Sequence, residues 1–391
     1  MMQKEAILVI NTGSSSIKFS LFSCEENLHL LHRGEIKSIL DAPQFSIFNH
    51  KNDLILAKKL NTSGYASTFK ALFEWLNASS EHFSLQAVGH RVVHGGKIFF
   101  APTLINHDVL DAITKLIPLA PLHQPYNIEG IKIVTDLYPN LKQIACFDTA
   151  FHTTQDRLAK LFAIPRELTD EGIIRYGFHG LSYEYIASVL PDYLREKAKG
   201  RVIVAHLGNG TSACALFDQR SVATTMGFTA LDGLMMGTRC GNIDPGILLF
   251  LLQGKRMTLE ELTKMLYHQS GLLGVSSISS DMRELESYSD KKSIEAVDLF
   301  CYRAAREISS LCSAIQGCDA IVFTAGIGEN SALVRKKICT QLEWLGITLD
   351  DKANQNKEII ISSHDSKVIA CAIPTNEEYM LAKHTYAFIT I

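Results

Sequence analysis

The sequence has no CxxC pair, no block of like charges and no low-complexity stretch. Its longest apolar runs, such as 247–252, fall far short of the ~18 residues needed to span a bilayer. The nine cysteines, Cys24, Cys146, Cys214, Cys240, Cys301, Cys312, Cys318, Cys339 and Cys371, are odd in number and scattered, so neither a zinc site nor a disulfide framework is expected. Most sit in apolar runs, as Cys146 does in Gln-Ile-Ala-Cys-Phe, and read as buried reduced thiols. The first seven residues lack an apolar h-region followed by a cleavage site, and a cytoplasmic protein is expected. A net charge of −3, from 38 basic and 41 acidic residues, gives no electrostatic reason to expect nucleic acid or an anionic membrane as partner.

What is present describes a globular chain. Hydrophobic residues make up 47%, aromatic residues 8% and charged residues 20%, which excludes disordered, collagen-like and coiled-coil proteins. A length of 391 residues suggests two domains, large enough to fold without disulfides or metal. Internal similarity supports the doubling. Residues 7–22 (ILVINTGSSSIKFSLF) and 202–217 (VIVAHLGNGTSACALF) share a strand, a Gly-centred polar turn and a second strand, aligning without a gap. Two unrelated β-hairpins would give the same pattern; the half-chain offset favours duplication.

Helices are expected where apolar residues recur every three to four positions. Ser67 to Leu76 is amphipathic, and residues 293–316 hold the period over many turns. Thr258 and Glu261 form a capping box, with Gly271 as the stop of that helix. Ser331 caps a helix running to Gly346, and Glu377 opens a short C-terminal helix. Strands and helices alternate through both halves, which indicates α/β architecture.

Several segments could carry chemistry. Asn11-Thr-Gly-Ser-Ser-Ser with Lys18 supplies hydroxyls, backbone N–H groups and an ammonium in one tight turn, a combination suited to polyphosphate, although it is not a Walker A sequence. His206-Leu-Gly-Asn-Gly-Thr-Ser is its twin without the lysine. Thr324-Ala-Gly-Ile-Gly-Glu-Asn follows a strand and precedes the Ser331 helix; a complete GxGxxG would need Gly at Ser331, so a nucleotide-binding turn and a plain βα loop both remain open. Arg91 and Arg239 lie among Gly and apolar residues, where a guanidinium needs an anionic partner: a ligand, or a structural Asp or Glu. His90 and His94 lack the following acid of a zincin and sit in an extended segment, so no zinc site is read there. Asp148 closes an apolar run at a strand end, and His179 sits between Phe and Gly in a turn.

The ordered set NTGSSSIKFSLF, GHRVVHGG, APLHQP, CFDTAFH, RYGFHG, HLGNGTS, GLMMGTRCG, SSDMR, GIGEN and PTNEE resembles the acetokinase family, from residue 7 to residue 378. The resemblance implies duplicated actin-like (ribonuclease H-like) α/β domains with a nucleotide cleft between them, and reversible, direct in-line transfer of the ATP γ-phosphoryl group to acetate, giving acetyl phosphate and ADP with Mg²⁺ or Mn²⁺. It implies Asn11 and Glu377 near the metal and Lys18 on ATP phosphate. His206, Leu207, Gly208, Asn209, Gly210, Asp281, Met282, Arg283, Gly326, Ile327, Gly328, Glu329 and Asn330 would line the nucleotide. Arg91 would bind the acetate carboxylate, with Val93, Leu122 and Phe178 around its methyl group, while Arg239 and His179 stabilise the transferring phosphoryl and Asp148 is the essential acid. A carboxylic acid with pKa about 4 is already ionised at pH 7. Asp148 is therefore expected to orient Arg91 or a metal-bound water rather than move a proton. A homodimer is also implied.

The sequence departs from the family's usual pattern at Cys240 and Asn242, where Ser and Asp are usual, and at Ala230, where a pocket Pro is usual. The loss of the Asp removes a potential partner of Arg239, and the smaller Ala230 leaves room for one more methylene, so propionate or another short-chain acid is the rival substrate. An actin-like ATP-binding protein serving assembly or chaperoning is the rival of another class. The expected domains are 1–149 plus 377–391, binding the acyl and phosphate groups, and 150–376, binding the nucleotide.

Overall fold

The computed structural model describes residues 4–79 and 83–390; the first three residues, part of the segment read above for a leader, lie outside them. The chain divides into two compact units, one formed by the residues up to Ala150 together with those from Asn376 onward, the other by Phe151–Thr375.

The first unit is built on an eight-stranded sheet in the order β5-β4-β3-β2-β1-β6-β8-β7. Strands β1 (Lys4–Thr12), β2 (Ser16–Ser23), β3 (Leu30–Lys37), β4 (Gln44–Asn49) and β5 (Leu54–Lys59) form an antiparallel meander. β6 (Phe83–Val92) joins β1 in parallel, and β8 (Lys142–Phe147) joins β6 in parallel, with the two-residue β7 (Thr103–Leu104) at the edge. The helix Tyr65–Ala78 buries Phe69, Leu72, Phe73 and Leu76 in one core with Leu8, Ile10, Phe19 and Leu21. Each such side chain contributes about 1.5–3 kcal/mol by burial, so Phe69→Ala would cost about 3–5 kcal/mol. The C-terminal helix Glu377–Ala387 packs on β1, β6 and β8. Gly89 permits this approach, because a Cβ there would collide with the Thr385 hydroxyl.

The second unit carries a five-stranded sheet, β11-β10-β9-β12-β13. Strands β9 (Arg201–Leu207), β10 (Thr211–Phe217) and β11 (Arg220–Thr224) are antiparallel; β12 (Ala320–Thr324) and β13 (Ile369–Ala372) continue in parallel. Period-2 alternation divides β9 between two cores. Ile203, Ala205 and Leu207 face the core of the long helix Lys291–Ala314, while Val202 and Val204 face that of Gly180–Leu194.

Both sheets therefore contain a three-strand antiparallel meander whose first strand is followed sideways by two parallel strands, the duplicated actin-like arrangement. The ungapped sequence alignment is correct for β1 against β9 and slips by one on the next strand. Thr12 pairs with Ile17 across the first hairpin, but Leu207 pairs with Thr211 across the second, whose turn is one residue shorter. A one-residue slip flips every side chain to the other face, and Phe22 is buried whereas Phe217 is exposed. The counterpart of the Asn11–Lys18 pair is thus His206–Ser212.

Three local expectations change. Gly271 does not stop the capping-box helix, which ends at His268; with φ of 63° it opens the next one, Gly271–Ser276. The Ser331 helix breaks after Gln341 into a 3₁₀ turn before the left-handed Gly346. The Gly-Ile-Gly segment is itself a short helix, Ala325–Asn330, rather than a turn. All nine cysteines are free thiols.

Candidate active site

In the first unit, the β1–β2 hairpin sets Asn11 directly opposite Lys18. The hairpin is buttressed from behind: Asn127 Nδ2 donates to the Thr12 carbonyl at 2.8 Å, and the Tyr65 hydroxyl lies 2.8 and 2.9 Å from the Gly13 and Ser14 carbonyls. With its carbonyls engaged on that side, the turn is left to present N–H groups and serine hydroxyls. Arg91, near the end of β6, donates from Nε to Asp148 Oδ1 at 2.9 Å and from Nη2 to Oδ2 at 2.7 Å, and its Nη1 lies 3.1 Å from Glu377 Oε2. Burial opposes the charge on Arg91, but Asp148 and then Glu377 outweigh it and raise the guanidinium pKa above its ordinary value. Asn11, Lys18, Arg91, Glu377 and Glu378 converge on a crevice of about 10 Å³, roughly the space of one water or small ion.

Val93 follows β6, and its N–H is held by Asn127 Oδ1; Leu122 lies in the turn before the helix Gln124–Leu137. Phe178 belongs to the second unit, where its carbonyl lies 2.9 Å from His152 Nε2. His90 and His94 are spent on packing: the first meets Gln143 at 2.8 Å, and Nδ1 of the second accepts the Gly96 N–H. Among the described residues no three His, Cys, Asp or Glu side chains gather as metal ligands.

In the second unit, the chain leaving β9 and β12 at one end of the sheet produces two adjoining features. The first is a cavity of about 770 Å³, within the range of small-molecule sites. Gly208, Asn209, Asp281, Met282, Arg283, Gly326, Ile327 and Asn330 line it, as do Ser280 of SSDMR, the helix cap Ser331, and Glu286 and Lys357, which no motif had singled out. Helical geometry explains the selection: Gly326, Ile327 and Asn330 share one face of their helix, while Gly328 packs on β9 near Leu207. Glu329 is turned away, accepting the Thr375 N–H at 3.0 Å. Leu207 is a fully buried core residue.

The second feature is a pair of stacked imidazoles. His179, at the left-handed start of the helix Gly180–Leu194, and His206, near the end of β9, have ring centroids 4.2 Å apart with planes inclined by 21°. His206 Nδ1 lies 2.8 Å from Ser182 Oγ, and His179 Nδ1 lies 2.8 Å from Ser212 Oγ. The adjacent backbone is glycine for a steric reason: a Cβ on Gly210 would fall 2.8 Å from Arg239 Nη2 and 3.2 Å from His179 Nε2. Arg239 donates from Nη1 to the Ala230 carbonyl at 2.6 Å and has no carboxylate partner among the described residues. Burial accordingly lowers its pKa. Asn242 does not turn to it, binding the Gly233 N–H and Glu307 instead. A buried guanidinium without a counter-ion is a receptor for an anion.

No described helix is long and apolar enough to cross a membrane. The profile of the acetokinase family matches residues 6–383. The chain is 49% identical over 389 residues to the acetate kinase of Rhodopseudomonas palustris, covering 98% of both chains, and 43% identical to that of Rickettsia felis, covering 99% of this chain and all of that one. Among solved structures, the propionate kinase of Francisella tularensis superposes with a TM-score of 0.93 at 40% identity, and the acetate kinase of Porphyromonas gingivalis with 0.90 at 33%; each match covers 99% of this chain and 100% of the other. By sequence and by fold, the chain belongs to the acetokinase family.

Proposed function

We propose that the chain transfers the γ-phosphoryl group of ATP to acetate, reversibly, giving acetyl phosphate and ADP. The observation that carries this reading is the contrast between its two key arginines. Arg91 is clamped by Asp148 and Glu377 into one orientation, suited to a small carboxylate. Arg239 is half-buried with no acidic partner among the described residues, beside His179 and Gly210, as a group meant to meet phosphoryl oxygens would be. The 770 Å³ cavity suits the nucleoside, and the Asn11–Lys18 hairpin its phosphates.

Phosphoryl transfer asks for alignment and neutralisation of the equatorial oxygens rather than covalent help. The acceptor carboxylate is ionised at neutral pH and needs no base, so Asp148 acts by holding Arg91. The oxygen donors of Asn11, Glu377 and Glu378 fit a hard divalent cation that completes its shell with water and phosphate, Mg²⁺ or Mn²⁺. When bound, it would neutralise charge on the transferred group. Val93, Leu122 and Phe178 are the proposed apolar neighbours of the methyl group. A cytoplasmic homodimer belongs to the same reading and rests on kinship alone.

The decisive assay follows ADP release and traps acyl phosphate with hydroxylamine, comparing acetate, propionate and butyrate. ATP turnover independent of any carboxylate would instead favour an actin-like assembly or chaperone protein. Propionate remains the second reading because Ala230, whose carbonyl anchors Arg239, is smaller than the family's usual Pro.

A further inference from the structure

His179 is held from behind by a short chain of hydroxyls. Its Nδ1 lies 2.8 Å from Ser212 Oγ, and that oxygen lies 2.5 Å from the Tyr183 hydroxyl. Ser212 and Tyr183 are both fully buried, and these are the hydrogen bonds their hydroxyls make.

Proton counting orders the chain. Tyr183 keeps its proton, since burial, followed by the nearby Cys214, raises its pKa well above the ordinary value. Its O–H has one acceptor within reach, Ser212 Oγ. Ser212 then cannot usefully direct its own hydrogen back at Tyr183 and must donate to His179 Nδ1. The reverse order, with His179 donating to Ser212 and Ser212 to Tyr183, would strand a buried phenolic donor at a cost of roughly 1–3 kcal/mol. Only one order satisfies every hydroxyl. It leaves Nδ1 as an acceptor and the ring proton on Nε2, the nitrogen that borders the same point as Arg239 Nη2 across Gly210.

With Nδ1 accepting from Ser212, the imidazole carries a single proton and is neutral. His206 is stacked on one side, Arg239 is nearby and unpaired by any acid, and Ser212 and Tyr183 are uncharged.

We propose that Tyr183 and Ser212 form a proton-ordered relay that fixes His179 as the neutral tautomer carrying its proton on Nε2. They are positioning residues, and what they position is a hydrogen-bond donor aimed at an anionic oxygen. The tautomer itself is independent of the proposed function; its catalytic consequence rests on that reading.

Nitrogen-15 spectra of the full chain near neutral pH separate the two, with a His179→Gln variant assigning the signal. The expected result is an unprotonated Nδ1 and a protonated Nε2 at His179, and a Ser212→Ala variant with a mixed or inverted tautomer. Ser212→Ala should lower kcat by about 10–100-fold, the usual cost of removing an orienting partner, with little change in KM for ATP. Ser212→Thr, which keeps the hydroxyl, should restore both spectrum and rate. A protonated Nδ1 in the unmodified chain overturns the relay, and so does Ser212→Ala with unchanged tautomer and kcat. If no carboxylate is phosphorylated at all, the functional reading fails while the spectrum still decides the relay.

Discussion

Asp148 grips Arg91 through two parallel hydrogen bonds of 2.9 and 2.7 Å, with Glu377 on the remaining arm of the guanidinium at 3.1 Å. This geometry engages both carboxylate oxygens in orienting the guanidinium. In Asp148→Asn, one oxygen becomes an NH₂ donor facing a donor, so the fork loses its register as well as its charge. Losing about 3 kcal/mol from such a charge-assisted pair should lower kcat/KM for acetate by about 100-fold. Steady-state kinetics with varied acetate read this directly, and a near-normal rate would remove the orienting role.

Arg239 makes the opposite case, because it is half-buried without a carboxylate partner among the described residues. Replacing an uncompensated buried charge with an apolar side chain of similar length should relieve the fold. Arg239→Met is expected to raise the melting temperature by about 2–4 °C, the shift that roughly 1 kcal/mol produces in a domain of this size, while abolishing turnover. Thermal unfolding and acyl-phosphate assays on one preparation test both halves. A variant less stable than the unmodified chain would mean that Arg239 has a structural partner after all.

Part of the candidate site was legible because some of its residues stand close to glycine. The turns around Gly13 and Gly208 and the Gly-rich run before Arg239 mark close approach of backbone, and the doubled hairpin marks the repeated fold. What sequence could not supply is long-range and polar. Tyr65 and Asn127 hold the first hairpin, and Tyr183 and Ser182 hold the histidines together with Ser212 of HLGNGTS, yet apart from Ser212 each is an ordinary helix residue with no local signature. Lys357 reaches the cavity from a left-handed position (φ 57°) that its neighbours do not announce. The one-residue slip between hairpins escaped because Leu-Phe ends both strands, and identity on the wrong face looks the same in a string.

Three histidines predict how stability depends on pH. Burial lowers the pKa of His90, His94 and His152 to about 4. In the unfolded chain they titrate near 6.5, so between about 4 and 6.5 the unfolded state binds more protons. Stability is then fully present above 6.5 and is lost as pH falls toward 4, with each histidine contributing up to about 1.4 kcal/mol per pH unit. Urea midpoints from pH 7 to 4.5 should fall steadily, and His152→Gln should flatten the profile. An identical slope in that variant would show that His152 does not titrate on unfolding.

The crevice between Asn11 and Glu377 predicts a metal requirement. Chelation by EDTA should stop turnover, and added Mg²⁺ should restore it. Glu377→Gln keeps the size of the side chain and removes one charge, so half-saturation by Mg²⁺ should move to higher concentration, by about tenfold for a 1.4 kcal/mol loss. Because Glu377 also contacts Arg91, the acetate KM should rise with it. Unchanged Mg²⁺ dependence would place the metal elsewhere.

Under the proposed function, Ala230 is the position at which the choice of acid is tested. Its carbonyl holds Arg239 Nη1 at 2.6 Å, a backbone contact that any residue at this position can make. That contact does not depend on the side chain, and under the proposed function the size of the side chain is what would set the room for the acyl group. An apolar pocket discriminates a single methylene by only about 1–3 kcal/mol, or roughly 10–200-fold. Propionate should thus be a measurable substrate, and Ala230→Pro should favour acetate further by about tenfold in the ratio of kcat/KM values while leaving kcat for acetate nearly unchanged. If the ratio does not move, selectivity lies with Val93, Leu122 or Phe178 instead, and substitution at those positions becomes the next measurement.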